Sequence, residues 1–171
     1  DQTSEPYSSW GQMLPRFFGP DIAVANHAES GESLRSFVAE RRFEKIFDLI
    51  KPGDYLFLQF AHNDQKLGSD TAPYEALLRS VVAETRERGA VPVLVTSMQR
   101  RRFDSRGAVV NSLEGFPDAM RGVAKTEGAA LVDLEPVSRR FYEALGPEGS
   151  KRAFVHYPAG KFPGQEGELK D

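Results

Sequence analysis

The sequence predicts an α/β fold built on a parallel β-sheet. Three observations carry this. Short apolar runs alternate with segments of helical spacing along the chain. The run Tyr55-Leu56-Phe57-Leu58-Gln59-Phe60 is apolar at almost every position, as in a strand covered on both faces. Gly or Pro closes most of the segments, at Lys51-Pro52-Gly53, Gly89, Gly128 and Gly146-Pro147.

Each element has its own local signal. Trp10, Met13, Leu14, Phe17 and Phe18 have the spacing of a core-facing helix. Ile22-Ala23-Val24-Ala25 reads as a short buried strand after the Gly19-Pro20 break. Gly31 opens a turn, and Ser33 is the N-cap of a helix running to about Arg42. Residues 44–50 continue as a helix, and the apolar run from Tyr55 to Phe60 is the second strand. Ala76, Leu77, Val81, Val82 and Thr85 mark the next helix, which stops at Gly89. Val91-Pro92-Val93-Leu94-Val95-Thr96 is a third strand, its proline near the start where a missing N–H is tolerated. Residues 116–127 are helical, 129–134 form a fourth strand, and 137–145 form a helix closed by Gly146-Pro147. Residues 158–171 hold three Gly and two Pro without periodicity and read as a loop. This alternation implies helices on both faces of the sheet in one domain spanning 1–171. The pattern begins at a helix and ends at a loop, which implies a strand before residue 1 and further chain after 171.

Composition narrows the function classes. Hydrophobic residues make up 40% and charged residues 27% of 171, ordinary values for a globular protein. The formal net charge of -3 gives no general pull toward nucleic acid. No stretch is apolar for long enough to span a bilayer, so no membrane partner is expected. The absence of cysteine excludes disulfides, thiolate nucleophiles and Cys-ligated metals. Asp1-Gln2-Thr3-Ser4-Glu5 is too polar for a leader's apolar region, though a processed chain would look the same.

In open parallel sheets, ligands sit at the carboxyl ends of the strands. Four groups fall there: Asn26, His27 and Gly31; His62, Asn63 and Asp64; Ser97, Gln99, Arg100, Arg101 and Arg102; Asp133 and Glu135. The Asn63 amide can donate toward developing negative charge, and a glycine such as Gly31 lets its N–H approach a reacting oxygen unobstructed. Together they resemble an oxyanion hole, a device worth ~3 kcal/mol of barrier. Taken singly, Gly31 reads as a turn glycine and Asn63 as an Asx-turn.

The stretch Asn26-His27-Ala28-Glu29-Ser30-Gly31-Glu32-Ser33-Leu34-Arg35-Ser36 resembles the second sequence block of SGNH (GDSL-type) hydrolases. Ala61-His62-Asn63-Asp64 resembles the third block, in the GHND form of the rhamnogalacturonan acetylesterase branch. Asp1-Gln2 with Trp10-Gly11-Gln12 is similar to the segment just after the family's first block, GDS, which carries the nucleophilic serine. Phe154-Val155-His156-Tyr157-Pro158 through Leu169-Lys170-Asp171 is similar to the approach to the last block, DxxH. The resemblance implies a three-layer α/β/α flavodoxin-like fold, here without its first strand and last helix. It implies a Ser–His–Asp esterase that needs no metal or cofactor. Gly31 and Asn63 match the family's oxyanion donors, and Asp171 matches the Asp of DxxH by position. The departures are specific. The chain contains no Gly-Asp-Ser, so Ser4, Ser8 and Ser9 are not assigned as nucleophile. His27, His62 and His156 do not stand where the triad base belongs, and Ala61 replaces a glycine. The 171 residues by themselves are therefore expected to lack turnover.

The same resemblance implies an acetylated acidic polysaccharide or oligosaccharide as partner, and a secreted or periplasmic location. His62 and Arg35 are expected to orient substrate or brace the oxyanion loop, and Arg100 and Arg101 to pair with uronates. Tyr157 is the expected sugar-stacking ring, with Tyr74 a lesser one and Trp10 and Tyr55 assigned to the core. A solvated charge run is the competing account of the arginines. Two other functions compete: a non-catalytic sugar-binding protein on the same fold, and a generic SGNH esterase. A nucleotide or receiver module is disfavoured because no Gly-rich phosphate loop comes after a strand.

Overall fold

The computed structural model of the chain describes residues 9–168. Three parallel strands form the sheet in the order β1 (Tyr55–Leu58), β2 (Val91–Val95), β3 (Ala130–Val132). Tyr55 pairs with Val91 and Leu58 with Leu94, while Val93 pairs with Ala130 and Val95 with Val132. Each crossover carries a helix, α4 (Ala72–Glu87) between β1 and β2 and α5 (Phe116–Glu127) between β2 and β3. Parallel strands require such crossovers, and these place every strand's carboxyl end on one rim.

The register explains the core. Side chains alternate across a strand, so Leu56 and Leu58 share a face with Leu94. Helices α4 and α5 pack on each other and on β2 over that face. Helices α2 (Leu34–Ala39) and α3 (Arg42–Leu49) extend the layer with Leu34, Phe37, Phe43, Ile46 and Phe47. Phe37 meets Phe43 edge-on with ring centres 4.8 Å apart, and Phe60 closes on both. Each fully buried Leu or Phe contributes about 1.5–3 kcal/mol of transfer free energy, which holds the β1 and α2 ends together where the site lies.

Helix α6 (Leu134–Gly149) breaks at Gly146, whose φ of 68° only glycine adopts readily, so the Gly146-Pro147 stop falls where the sequence places it. It packs against the excursion after β2 (residues 99–114). There Gln99 N–H donates to Ser138 Oγ at 2.9 Å, and the Arg139 guanidinium and Glu143 carboxylate hold the carbonyl and N–H of Val109.

Several sequence expectations need correction. Residues 22–25 form no strand, and Ile22 is 55% exposed. Such a run becomes a strand only where a neighbouring ladder takes its backbone groups, and no described strand pairs with it. The first helix is α1 (Trp10–Met13) continued by a 3-10 turn (Leu14–Phe17), because Pro15 lacks the N–H an α-helix would need. Phe17 is 79% exposed, and Met13 and Phe18 are exposed too. Leu14 is half-buried, and Trp10 docks with its ring edge-on to Phe57 and its Nε1 donating to Gln59 Oε1 at 2.8 Å. A Cβ on Gly11 would lie 2.9 Å from Asn26 Oδ1, so a larger residue there would displace the Asn26 side chain. The helix predicted through Arg42 ends at Ala39, and Arg41 turns the chain with φ 59°. Tyr55 is exposed rather than core. Tyr74 is buried rather than sugar-facing, its hydroxyl donating to Phe60 O at 2.8 Å, and burial pushes its pKa up. On the second sheet face Val93 and Val95 of the central strand are buried, while Tyr55, Phe57, Val91 and Val132 beside them are exposed.

Candidate active site

Gly31 stands before α2 with φ 89°. A Cβ built on it meets nothing within 4 Å, so backbone conformation, not crowding, demands glycine, and the space in front is open. The loop around it is held from several sides. Ser33 and Ser36 exchange the two hydrogen bonds of a capping box, each near 3.0 Å. Ser36 Oγ also donates to Glu32 Oε2, and Arg42 pairs with Glu29 and Glu32 at 3.4 and 3.6 Å.

The turn after β1 reaches that loop through two adjacent residues. Asn63 Nδ2 donates to the Glu32 carbonyl at 3.0 Å, and Lys66 Nζ donates to Asn63 Oδ1 at 2.8 Å. Asp64, 5% exposed, accepts the Leu34 N–H on Oδ1 at 2.9 Å, and the Arg35 N–H supports the same carboxylate. Burial raises the Asp64 pKa and these amide bonds oppose the rise. The amide of Asn63 and the backbone beside Gly31 thus form one wall. One hydrogen of Nδ2 is spent on Glu32, and the amide nitrogen carries a second.

His62 lies at the same turn, and its Nε2 meets the Met98 carbonyl at 2.8 Å. A carbonyl only accepts, so Nε2 carries the proton and Nδ1 the lone pair. Burial holds its pKa below the usual value, with Arg100 and Lys66 acting in the same sense. The neutral ring is the folded form. Stability is therefore full above about pH 6.5, where unfolded histidine is also neutral, and falls as pH drops below it. Denaturant titrations at about pH 5 and 7.5, on either side of that value, should show this loss, and His62→Gln, which does not titrate, should reduce it. An unchanged difference in the variant would assign the acid sensitivity to other groups.

The remaining predicted residues divide. Arg100 sits at the rim, but its guanidinium donates inward to His62 O at 2.8 Å, Ser112 O at 2.6 Å and Gln65 Oε1 at 3.3 Å. It ties the Asn63 turn to the excursion after β2. Arg101 donates to Pro147 O at 3.0 Å on α6. Arg35 is exposed on the first turn of α2, one residue past the Leu34 cap contact. Tyr157 packs edge-on against Phe162 with centres 5.0 Å apart. Asp171 lies outside the described residues. Glu135 is buried and Asp133 half-buried, held by Arg121 at 2.7 and 2.9 Å, with Arg139 and Gln99 also on Glu135. Burial pushes the Glu135 pKa up, but Gln99, Arg121 and Arg139 outweigh it and the carboxylate lies low. Sequence reasoning missed Lys66 and the anchoring role of Asp64; spacing three after Asn63 and an acid beside a loop were the only signals. Among the described residues no three His, Asp or Glu side chains converge on a metal-sized site.

Comparison with known proteins places the chain among carbohydrate esterases and their relatives by similarity. The chain is 43% identical over 169 residues to the rhamnogalacturonan acetylesterase RhgT of Bacillus subtilis, covering 97% of this chain and 72% of that protein. It is 33% identical to the probable rhamnogalacturonan acetylesterase YesY of the same organism, over 86% of this chain and 70% of that protein. The crystal structure of YxiM from Bacillus subtilis superimposes with a TM-score of 0.80 at 27% identity, covering 96% of this chain. This chain spans 46% of the YxiM chain, less than half its length. The acetylxylan esterase Axe2 of Geobacillus stearothermophilus shares the fold alone, with a TM-score of 0.61, 20% identity, and 79% of this chain and 67% of that one covered. Residues 1–157 match the sequence pattern of the GDSL-like lipase/acylhydrolase family, and with the glycine loop and asparagine turn joined at one rim, the chain belongs to that family.

Proposed function

We propose that this chain supplies the oxyanion side of a serine esterase that removes acetyl groups from pectic polysaccharide, in the manner of a rhamnogalacturonan acetylesterase. The observation that carries this is the Asn63 Nδ2 contact to Glu32 O at 3.0 Å, which joins the asparagine turn to the glycine loop at one strand-end rim. The similarity to RhgT over 97% of the chain supports the choice of ester.

The chemistry comes from that wall. A serine hydroxyl, deprotonated by histidine, attacks the acetyl carbonyl, and the carbonyl oxygen becomes an oxyanion facing Asn63 and the Gly31 loop. The bond to the sugar oxygen breaks as that oxygen receives from histidine the proton taken from serine. Water then attacks the acetyl-enzyme and releases acetate. Gly-Asp-Ser does not occur in these 171 residues, so in this proposal the nucleophile and base come from elsewhere in the full-length protein. Because pectic chains lie outside cells, the site works in a secreted or periplasmic protein.

The test is acetate release from acetylated rhamnogalacturonan and from acetylated xylan by the full-length protein, with residues 1–171 alone beside it. The expected result is faster release from the pectic substrate and none from the 171 residues alone. Absence of acetate release by the full-length protein would sink the esterase assignment, and preference for xylan would change the substrate class.

A further inference from the structure

We infer that Lys66 is a positioning residue of the oxyanion site: its ammonium fixes which end of the Asn63 amide faces the Gly31 loop. The inference rests on the esterase function proposed above and deepens it.

A side-chain amide has two ends of nearly the same shape, and its partners decide which way it lies. Both partners of Asn63 are unambiguous. An ammonium only donates, so Lys66 Nζ, at 2.8 Å, selects the oxygen Oδ1. A backbone carbonyl only accepts, so Glu32 O, at 3.0 Å, selects the nitrogen Nδ2. The two contacts demand the same orientation. Turned over, the amide would set its oxygen against the Glu32 carbonyl and against any oxyanion in the site, and its NH2 against an ammonium.

The charge on Lys66 adds a second effect. Pulling electron density toward Oδ1 makes the opposite N–H groups better donors, as in any polarised hydrogen-bond chain. The lever is held in place by its own backbone. Lys66 lies in the short 3-10 turn Gln65–Leu67, where Gln65 N–H donates to Ala61 O and Leu67 N–H to Asp64 O, both at 2.9 Å. The Lys66 side chain is exposed, so its removal opens no cavity in the core.

The experiment compares Lys66→Met, Lys66→Arg and Asn63→Ala in the full-length protein, measuring kcat and KM on a soluble acetyl ester and the melting temperature of each. Lys66→Met is expected to lower kcat about tenfold, with KM within about twofold, and to leave the melting temperature unchanged. Lys66→Arg keeps the cation and is expected to retain at least about half of kcat. Wild-type kcat in Lys66→Met, a rise confined to KM, or an equal fall in the Met and Arg variants would overturn the inference. Asn63→Ala separates it from the parent proposal. If Asn63→Ala collapses activity and Lys66→Met does not, only the Lys66 role fails. If Asn63→Ala keeps wild-type kcat, both fail.

Discussion

Asn63→Ala in the full-length protein is expected to lower kcat about 100- to 1,000-fold, or ~3–4 kcal/mol of transition-state stabilisation, with KM nearly unchanged. The loss should appear in kcat because the N–H facing the site meets charge that develops only during attack. The side chain is partly buried and contributes contacts to Glu32 O and Lys66 Nζ at the surface rather than to the core. Folding should therefore survive, and a melting curve beside the kinetics verifies this. A fall of less than about fivefold, far below one oxyanion donor, would mean that the acetyl oxygen lies elsewhere.

The second large effect concerns Asp64. Its carboxylate bridges the β1 turn to the start of α2 through the Leu34 and Arg35 N–H groups. Removing it in Asp64→Ala leaves donors of α2 without their acceptor in a buried place, at a cost of ~2 kcal/mol. For a protein of this size that lowers the melting temperature by roughly 4–8 °C. The consequence reaches the site, because the same helix start sets the position of Gly31 relative to Asn63. Esterase activity should fall with stability at assay temperature. Asp64→Asn keeps an oxygen for Leu34 and removes a buried charge whose second oxygen, Oδ2, has no well-formed hydrogen bond, so it should lose less than half as much. A wild-type melting curve for Asp64→Ala would show that Ser33 alone caps the helix.

How much of this was legible in the sequence varies by element. Helices α4 and α5 are announced by apolar spacing and by Gly89 and Gly128, because burial of one face and a left-handed terminal residue are local requirements. The stretch Ile22-Ala23-Val24-Ala25 misled because β propensity reports fit to a neighbour, and no described strand supplies one. The arginines misled differently. Composition shows a cationic run at Arg100-Arg101-Arg102, yet Arg100 spends its donors on the carbonyls of His62 and Ser112, which no spacing rule announces. The ion network of Arg121 with Asp133 and Glu135 likewise joins residues 12 and 14 positions apart across a strand.

The α/β class and the strand-end location of His62, Asn63 and Asp64 were legible in the amino-acid pattern. These are consequences of periodicity and of residue types whose backbone or side-chain chemistry acts locally. Tertiary packing supplies the rest: Asn63 meets Glu32, Lys66 meets the Asn63 oxygen, Asp64 ties two loops together, and Arg100 serves the scaffold. Those outcomes depend on which backbone groups are brought within about 3 Å of a side chain. That is fixed by packing α2 against α4 and α6 against the 99–114 excursion, and not by neighbours in the chain.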